Sequence, residues 1–277
     1  MVKKQVAGPI GVFDSGYGGL TVYKELRRRL PDHDFLYLGD NARVPYGSRS
    51  FDTVYRYTLE CVDHLFARGC NLVVLACNTA SAKALRNIQQ LDLPKLKSYK
   101  RVLGVIRPTT ETIGALSKTK HIGLFATTGT VRSDSYKMEI KKFFPTVKLY
   151  QEACPMWVPL IENNEHLSVG ANYFIRKHVN NLLARSSKID TIILACTHYP
   201  LLEKKLRRFI PKEINLISQG EIVSNSLVDY LSRHQEMDEL ITKNRKQNFL
   251  TTESTADFNK KSVMFLGEKI KSDLLIL

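Results

Sequence analysis

The chain has 277 residues, 43% of them hydrophobic and 25% charged, and a formal net charge of +14. That length suits one large or two ordinary domains with a sizeable buried core. No apolar run reaches the ~18 residues of a membrane span, and the start, Met1-Val-Lys-Lys-Gln-Val-Ala-Gly-Pro9, lacks the apolar stretch of a signal peptide. A cytoplasmic protein without membrane contact is therefore expected. The five cysteines (61, 70, 77, 154 and 196) are odd in number and show no C-x-x-C spacing. Neither a disulfide framework nor a zinc ribbon is expected. The positive balance raises nucleic acid as a partner. However, the basic residues are scattered in short groups such as Lys3-Lys4, Arg27-Arg28-Arg29 and Lys260-Lys261, with no interleaved aromatic motif. No specific nucleic acid is expected.

In chain order, Ile10-Gly-Val-Phe13 reads as a strand that ends in Asp14-Ser15-Gly16-Tyr17-Gly18-Gly19. A helix follows, with apolar positions at 20, 22, 23, 26 and 30, closed by Pro31. The turn is not a dinucleotide fingerprint, because the third glycine would fall at Thr21, and no P-loop lysine follows. Its glycines imply close backbone approach. Asp14 and Ser15 are either ligand-facing or caps of that helix. Phe35–Leu38 is a second strand, leading to the turn-rich loop Gly39–Gly47. A helix from about Ser50 to Arg68 ends at Gly69.

Leu72-Val-Val-Leu-Ala-Cys77-Asn-Thr is an apolar strand that ends at a thiol and hands over to a helix. Thr191-Ile-Ile-Leu-Ala-Cys196-Thr-His198 repeats the pattern. Between them the spacing predicts strands at 102–106, 122–126 and 147–150, and helices reaching 116, 144 and 168–185. After a helix over 200–209, Ile214–Ile217 is a strand and a helix runs to Arg233. The tail from 235 to 261 is polar. Phe249-Leu-Thr-Thr suits a strand, and Val263-Met-Phe265 is expected to precede a closing helix.

Alternation of strands and helices means βαβ units with parallel sheets. The repeated thiol unit suggests two similar α/β halves, 1–98 with 212–277, and 99–211, facing each other. The crossing is placed in the polar connection Leu91–Ser98. Ligands bind at the carboxyl ends of strands in such sheets, where both thiols stand. Two groups of one kind on opposite faces of a planar carbanion suit racemisation, one removing a proton and the other delivering one. Asp14 and His198 are candidates to activate them. Ser15, Asn78, Thr79 and Thr197, with nearby amides, are candidates to hold carboxylates. Other chemistries fit less well. A metal site from Cys77, Cys196, His198 and Asp14 is allowed by ligand type only. A thiol phosphatase needs arginine where Lys83 and Leu202 stand, and no motif marks a Schiff-base lysine.

Phe13-Asp-Ser-Gly-Tyr-Gly-Gly19, Pro45-Tyr-Gly47, Ala76-Cys-Asn-Thr-Ala80, Cys154-Pro with Val158-Pro-Leu-Ile-Glu162, and Ala195-Cys-Thr-His-Tyr-Pro200 occur in that order. In these motifs the chain resembles the glutamate racemases, within the cofactor-independent aspartate/glutamate racemase superfamily. The resemblance implies two α/β domains with pseudo-twofold symmetry and an active site in the cleft between them. It also implies interconversion of L- and D-glutamate, supplying D-glutamate for peptidoglycan, with no cofactor and no metal, in a homodimer. Carried over by motif, Cys77 and Cys196 would be the acid/base pair, with Asp14, Glu162 and His198 as auxiliary catalytic groups. Asp14, Ser15, Tyr46, Gly47, Asn78, Thr79, Thr197 and His198 would bind substrate. Tyr17 and Ser218-Gln219-Gly220 depart from the family pattern near the site, and nothing beyond 234 matches it. A racemase for aspartate or another amino acid is the enzymatic alternative. A basic nucleic-acid-binding protein is the non-enzymatic one.

Overall fold

The computed structural model describes residues 6–96 and 99–277. The Lys3-Lys4 pair, and Lys97 and Ser98 of the expected crossing, lie outside the described residues. Among the described residues, ten strands form two sheets: β1 (Ile10–Asp14), β2 (Phe35–Gly39), β3 (Leu72–Leu75), β4 (Arg101–Gly104), β5 (His121–Ala126), β6 (Lys148–Ala153), β7 (Thr191–Ala195), β8 (Asn215–Ser218), β9 (Gln247–Thr251) and β10 (Asp273–Leu274). The first sheet has the order β10-β9-β2-β1-β3-β4 and the second β6-β5-β7-β8. Every pairing between these strands is parallel.

Parallel sheets are covered on both faces, so their strands need continuous apolar runs. Strands β1, β2, β3 and β7 are buried at every residue. In the first half Tyr23, Phe35, Tyr37 and Phe249 pack ring on ring. In the second, Trp157 is fully buried against Phe125 and Tyr199, with ring centroids 4.8 and 4.9 Å away.

The strand order carries an internal repeat. Read from one edge, β4-β3-β1-β2 of the first sheet corresponds to β8-β7-β5-β6 of the second, and β9 and β10 extend the first alone. The two thiol strands, β3 and β7, are equivalent members.

Two strands join sheets other than those expected. β4, placed by the sequence in the second half, pairs with β3. β8, placed by the sequence in the first half with 212–277, pairs with β7. An apolar run identifies a strand but not its neighbour. The stretch that reads as a polar crossing is instead a continuation of helical turns from Leu85 to Leu96. The tail differs too. Phe265 lies at the end of a helix, Thr255–Leu266, not before one. Ser254 caps its start, accepting from Asp257 N, and Gly267 ends it in the left-handed region at φ +88.

The chain passes between the sheets twice. Helix Ile106–Leu116 follows β4 and packs on helix Ser135–Phe143 of the second half. Helix Gly220–Arg233 follows β8 and packs on helix Leu20–Arg29 of the first. No described helix is long and apolar enough to cross a membrane.

Candidate active site

Strand β3 ends at Leu75. Cys77 then caps the short helix Asn78–Lys83, its Sγ accepting from Ala80 N at 3.4 Å. Strand β7 ends at Ala195, and Cys196 begins a turn into the 3₁₀ segment Tyr199–Leu202. Both sulfurs line one cavity of about 100 Å³. Every predicted site residue but one lines it with them: Ser15, Tyr46, Gly47, Asn78, Thr79, Glu162, Thr197 and His198. Asp14 does not. It is fully buried behind the lining, where its Oδ2 accepts from Gly16 N at 2.9 Å and its Oδ1 from Thr197 Oγ1 at 3.4 Å. Nor does it cap the following helix, whose N-cap is Gly19 with no side-chain bond.

The glycine-rich turn is where the halves meet. A Cβ on Gly18 would stand 2.3 Å from His198 Nδ1 and 2.4 Å from Thr197 Oγ1. Only a residue without Cβ lets the second thiol loop press this closely on the first half.

The thiols have different neighbours. Burial, and then the charge of Asp14, push Cys77 up to about 12, against a 3.4 Å hydrogen bond with Ser15 Oγ. Cys77 therefore holds its proton at neutral pH. Cys196 Sγ lies 3.9 Å from His198 Nδ1, and His198 Nε2 is 2.9 Å from Glu162 Oε1. Burial works against a charged His198, but hydrogen bonds to Cys196 and Glu162 prevail and hold its pKa up at about 10. At neutral pH His198 is an imidazolium that donates to a sulfur on one side and a carboxylate on the other. Burial raises the Asp14 carboxyl, while the charge of His198 lowers it.

Two predicted binding side chains are engaged elsewhere. The Tyr46 hydroxyl donates to Asp40 Oδ2, which also accepts from Arg43 Nε at 2.7 Å. Tyr46 thus offers the cavity its ring and backbone. The Asn78 amide donates to Gln219 Oε1 at 2.8 Å and accepts from Tyr136 OH at 2.6 Å. Thr79 remains in a hydroxyl cluster with Thr127 and Thr130, at 2.9 and 3.4 Å.

Sequence reasoning missed Thr127, Thr128 and the third cavity thiol, Cys154. The signal was available for the threonines. They directly follow β5, as Ser15 directly follows its equivalent, β1. Among the described residues, no group of three or more His, Cys, Asp or Glu side chains is placed to hold a metal ion.

The pattern of the Asp/Glu/Hydantoin racemase family matches residues 10–223. A glutamate racemase of Geobacter metallireducens is 38% identical over 262 residues, covering 94% of this chain and 93% of that one. The crystal structure of a Bacillus anthracis glutamate racemase isoform superposes with a TM-score of 0.84 at 32% identity, covering 99% of each chain. A Francisella tularensis glutamate racemase solved with D-glutamate superposes with a TM-score of 0.82 at 30% identity, covering 97% of each. Similarity of sequence and fold over nearly the whole length, joined to two thiols at equivalent strand ends, leads to one assignment: the chain belongs to the Asp/Glu/Hydantoin racemase family, in its glutamate racemase branch.

Proposed function

We propose that the chain interconverts L- and D-glutamate by proton transfer at Cα between two cysteines. The observation that carries this reading is the pair Cys77 and Cys196, set at equivalent strand ends and lining one small cavity. With L-glutamate bound, the Cys196 thiolate takes the Cα proton, and the electron pair left on carbon is delocalised into the adjoining carboxylate. The Cys77 S–H delivers its proton to the opposite face. The product is D-glutamate, with Cys196 now a thiol and Cys77 a thiolate. D-glutamate returns along the same path with the roles exchanged, so acid and base are different groups in each direction.

The resting protonation suits the L-to-D direction. Cys77 holds its proton, and the His198 imidazolium, anchored by Glu162, faces the Cys196 sulfur. Hydroxyls of Ser15, Thr79 and Thr127, with backbone amides of the strand-end loops, supply donors for the substrate carboxylates. Asp14 acts from behind the lining by holding the Gly16 turn and Thr197. In this reading the chain works in the cytoplasm, where five unpaired thiols suit a reducing compartment. It supplies D-glutamate for peptidoglycan and acts as a homodimer, which light scattering reads directly.

The test is L-glutamate turnover in deuterated water without added cofactor. Early D-glutamate should carry solvent deuterium at Cα, while remaining L-glutamate stays largely unlabelled. D-glutamate that retains the original hydrogen refutes the two-thiol route. Faster turnover of L-aspartate than of L-glutamate refutes the substrate.

A further inference from the structure

Gln219 directly follows β8, and Val105 directly follows β4. These strands are equivalent in the repeated order. The two residues therefore mark matching points, where the chain leaves one sheet and sets out for the other. The Gln219 side chain joins them. It is 4% exposed, and its Nε2 donates to Thr109 Oγ1 and to Tyr136 OH, each at 2.7 Å, with Val105 O a longer 3.3 Å away. Its Oε1 accepts from Asn78 Nδ2, and Tyr136 OH donates to Asn78 Oδ1. Thr109 Oγ1 in turn donates to Val105 O at 3.0 Å.

With the Gln219 Nε2 set beside the Val105 carbonyl, the direction of every bond follows. Tyr136 has one hydrogen, which goes to Asn78, so its oxygen is free to accept from Gln219. Thr109 spends its hydrogen on Val105 and likewise accepts from Gln219. A primary amide has two N–H groups and one carbonyl, and all three are used. Such a network specifies geometry when each member is satisfied and is costly when one is removed. Asn78 adjoins Cys77 and opens the helix that the Cys77 sulfur caps. The Asn78 amide is thus tied to the second half through Tyr136 and to both chain crossings through Gln219.

We infer that Gln219 is a positioning residue for the Cys77 thiol, fixing Asn78 against the two crossings and so setting where Cys77 stands relative to Cys196. This rests on the two-thiol reading above. Enantiomers have equal free energy, so any variant must lower kcat/KM equally in both directions. Primary isotope effects tell the thiols apart. If Cys77 alone is displaced, its proton transfer becomes more rate-limiting. The effect measured with Cα-deuterated D-glutamate then rises, while that with Cα-deuterated L-glutamate falls.

The experiment compares the parent chain with Gln219→Met, which keeps the shape and removes the amide. It adds Tyr136→Phe, which removes only the hydroxyl that donates to Asn78. Both variants are first checked for folding by thermal melting. Displacement of a reacting group by a fraction of an ångström predicts a loss in kcat/KM of about 10- to 100-fold for Gln219→Met, less for Tyr136→Phe, and isotope effects that move in opposite directions for the two enantiomers. Folded variants with parental kinetics overturn the inference. So does a rate loss with both isotope effects unmoved, or failure of both variants to fold, since each marks a general structural role. A parent chain that forms no D-glutamate overturns the two-thiol reading itself, and the inference with it.

Discussion

Replacing Glu162 by glutamine keeps a hydrogen-bond acceptor beside His198 and removes the charge. The pair is 2.9 Å apart, with side chains only 6% and 16% exposed. The sulfur of Cys196 and the carboxylate of Glu162 together hold His198 at about 10, against the pull of burial. A hydrogen bond to a charged partner contributes ~1.5–3 kcal/mol, and ~1.4 kcal/mol is one decade in acidity. His198 in Glu162→Gln should therefore titrate between ~8 and ~9. The direction of the stability effect follows. His198 binds its proton more tightly in the folded than in the unfolded chain, so its contribution is whole below its ordinary value of 6.5 and is lost as pH rises through about 10. In the variant that loss begins earlier, and the alkaline fall in L-to-D turnover should move down with it. Nitrogen-15 chemical shifts of the imidazole against pH give the titration directly, and thermal melts against pH give the linkage. A variant His198 that titrates with the parent refutes the role given to Glu162. A parent His198 that is neutral at a pH of about 8 refutes the imidazolium itself.

Cys77→Ala and Cys196→Ala should each nearly abolish racemisation while remaining folded, because the carbanion lacks either its acid or its base; a folded Cys77→Ala with parental turnover refutes the mechanism. Asp14→Asn and His198→Asn should be milder, on the scale of ~10²–10⁴-fold in kcat/KM for positioned acid–base helpers, read by steady-state polarimetry. Gly18→Ala places a methyl within 2.4 Å of both Thr197 and His198, so the thermal midpoint should fall by the equivalent of ~1–3 kcal/mol of overpacking, together with activity. Any DNA or RNA binding driven by the +14 balance should be weak and should disappear as salt rises through the physiological range; tight, sequence-selective binding at that salt would restore a nucleic-acid role.

Much of the fold was readable because a parallel sheet imposes a strong rule on composition. A strand covered on both faces must be apolar throughout, and Leu72–Leu75 and Thr191–Ala195 meet that rule before stopping at a thiol. The rule is silent on neighbours. β4 and β8 carry no mark of which sheet edge they join, so each falls on the unexpected side of the crossing. The tail hid its helix for a different reason. Thr255–Leu266 has a polar first turn, and its boundaries are written in Ser254 and Gly267 and not in an apolar stripe. The turn at Gly16–Gly19 announces close approach, but what approaches is Thr197–His198 of the opposite half.

Residue type shows what a side chain can donate or accept, not which partner reaches it first. The motif resemblance points Tyr46 at substrate and its place at a helix start points Asn78 there, yet Asp40 claims the tyrosine hydroxyl, and Gln219 with Tyr136 claims the amide. Buried polar groups must be paired, and a partner supplied by the fold is always present, whereas substrate comes and goes. The polar side chains that line the cavity are mostly hydroxyls, which fits the unnoticed Thr127 and Thr128. The same competition separates the two thiols. Their strands match, but Cys77 meets Ser15 and the charge of Asp14, while Cys196 meets a histidine held by a carboxylate. This difference in surroundings is set across the cleft and not along the chain, so two alike residues on matching strands meet unlike neighbours.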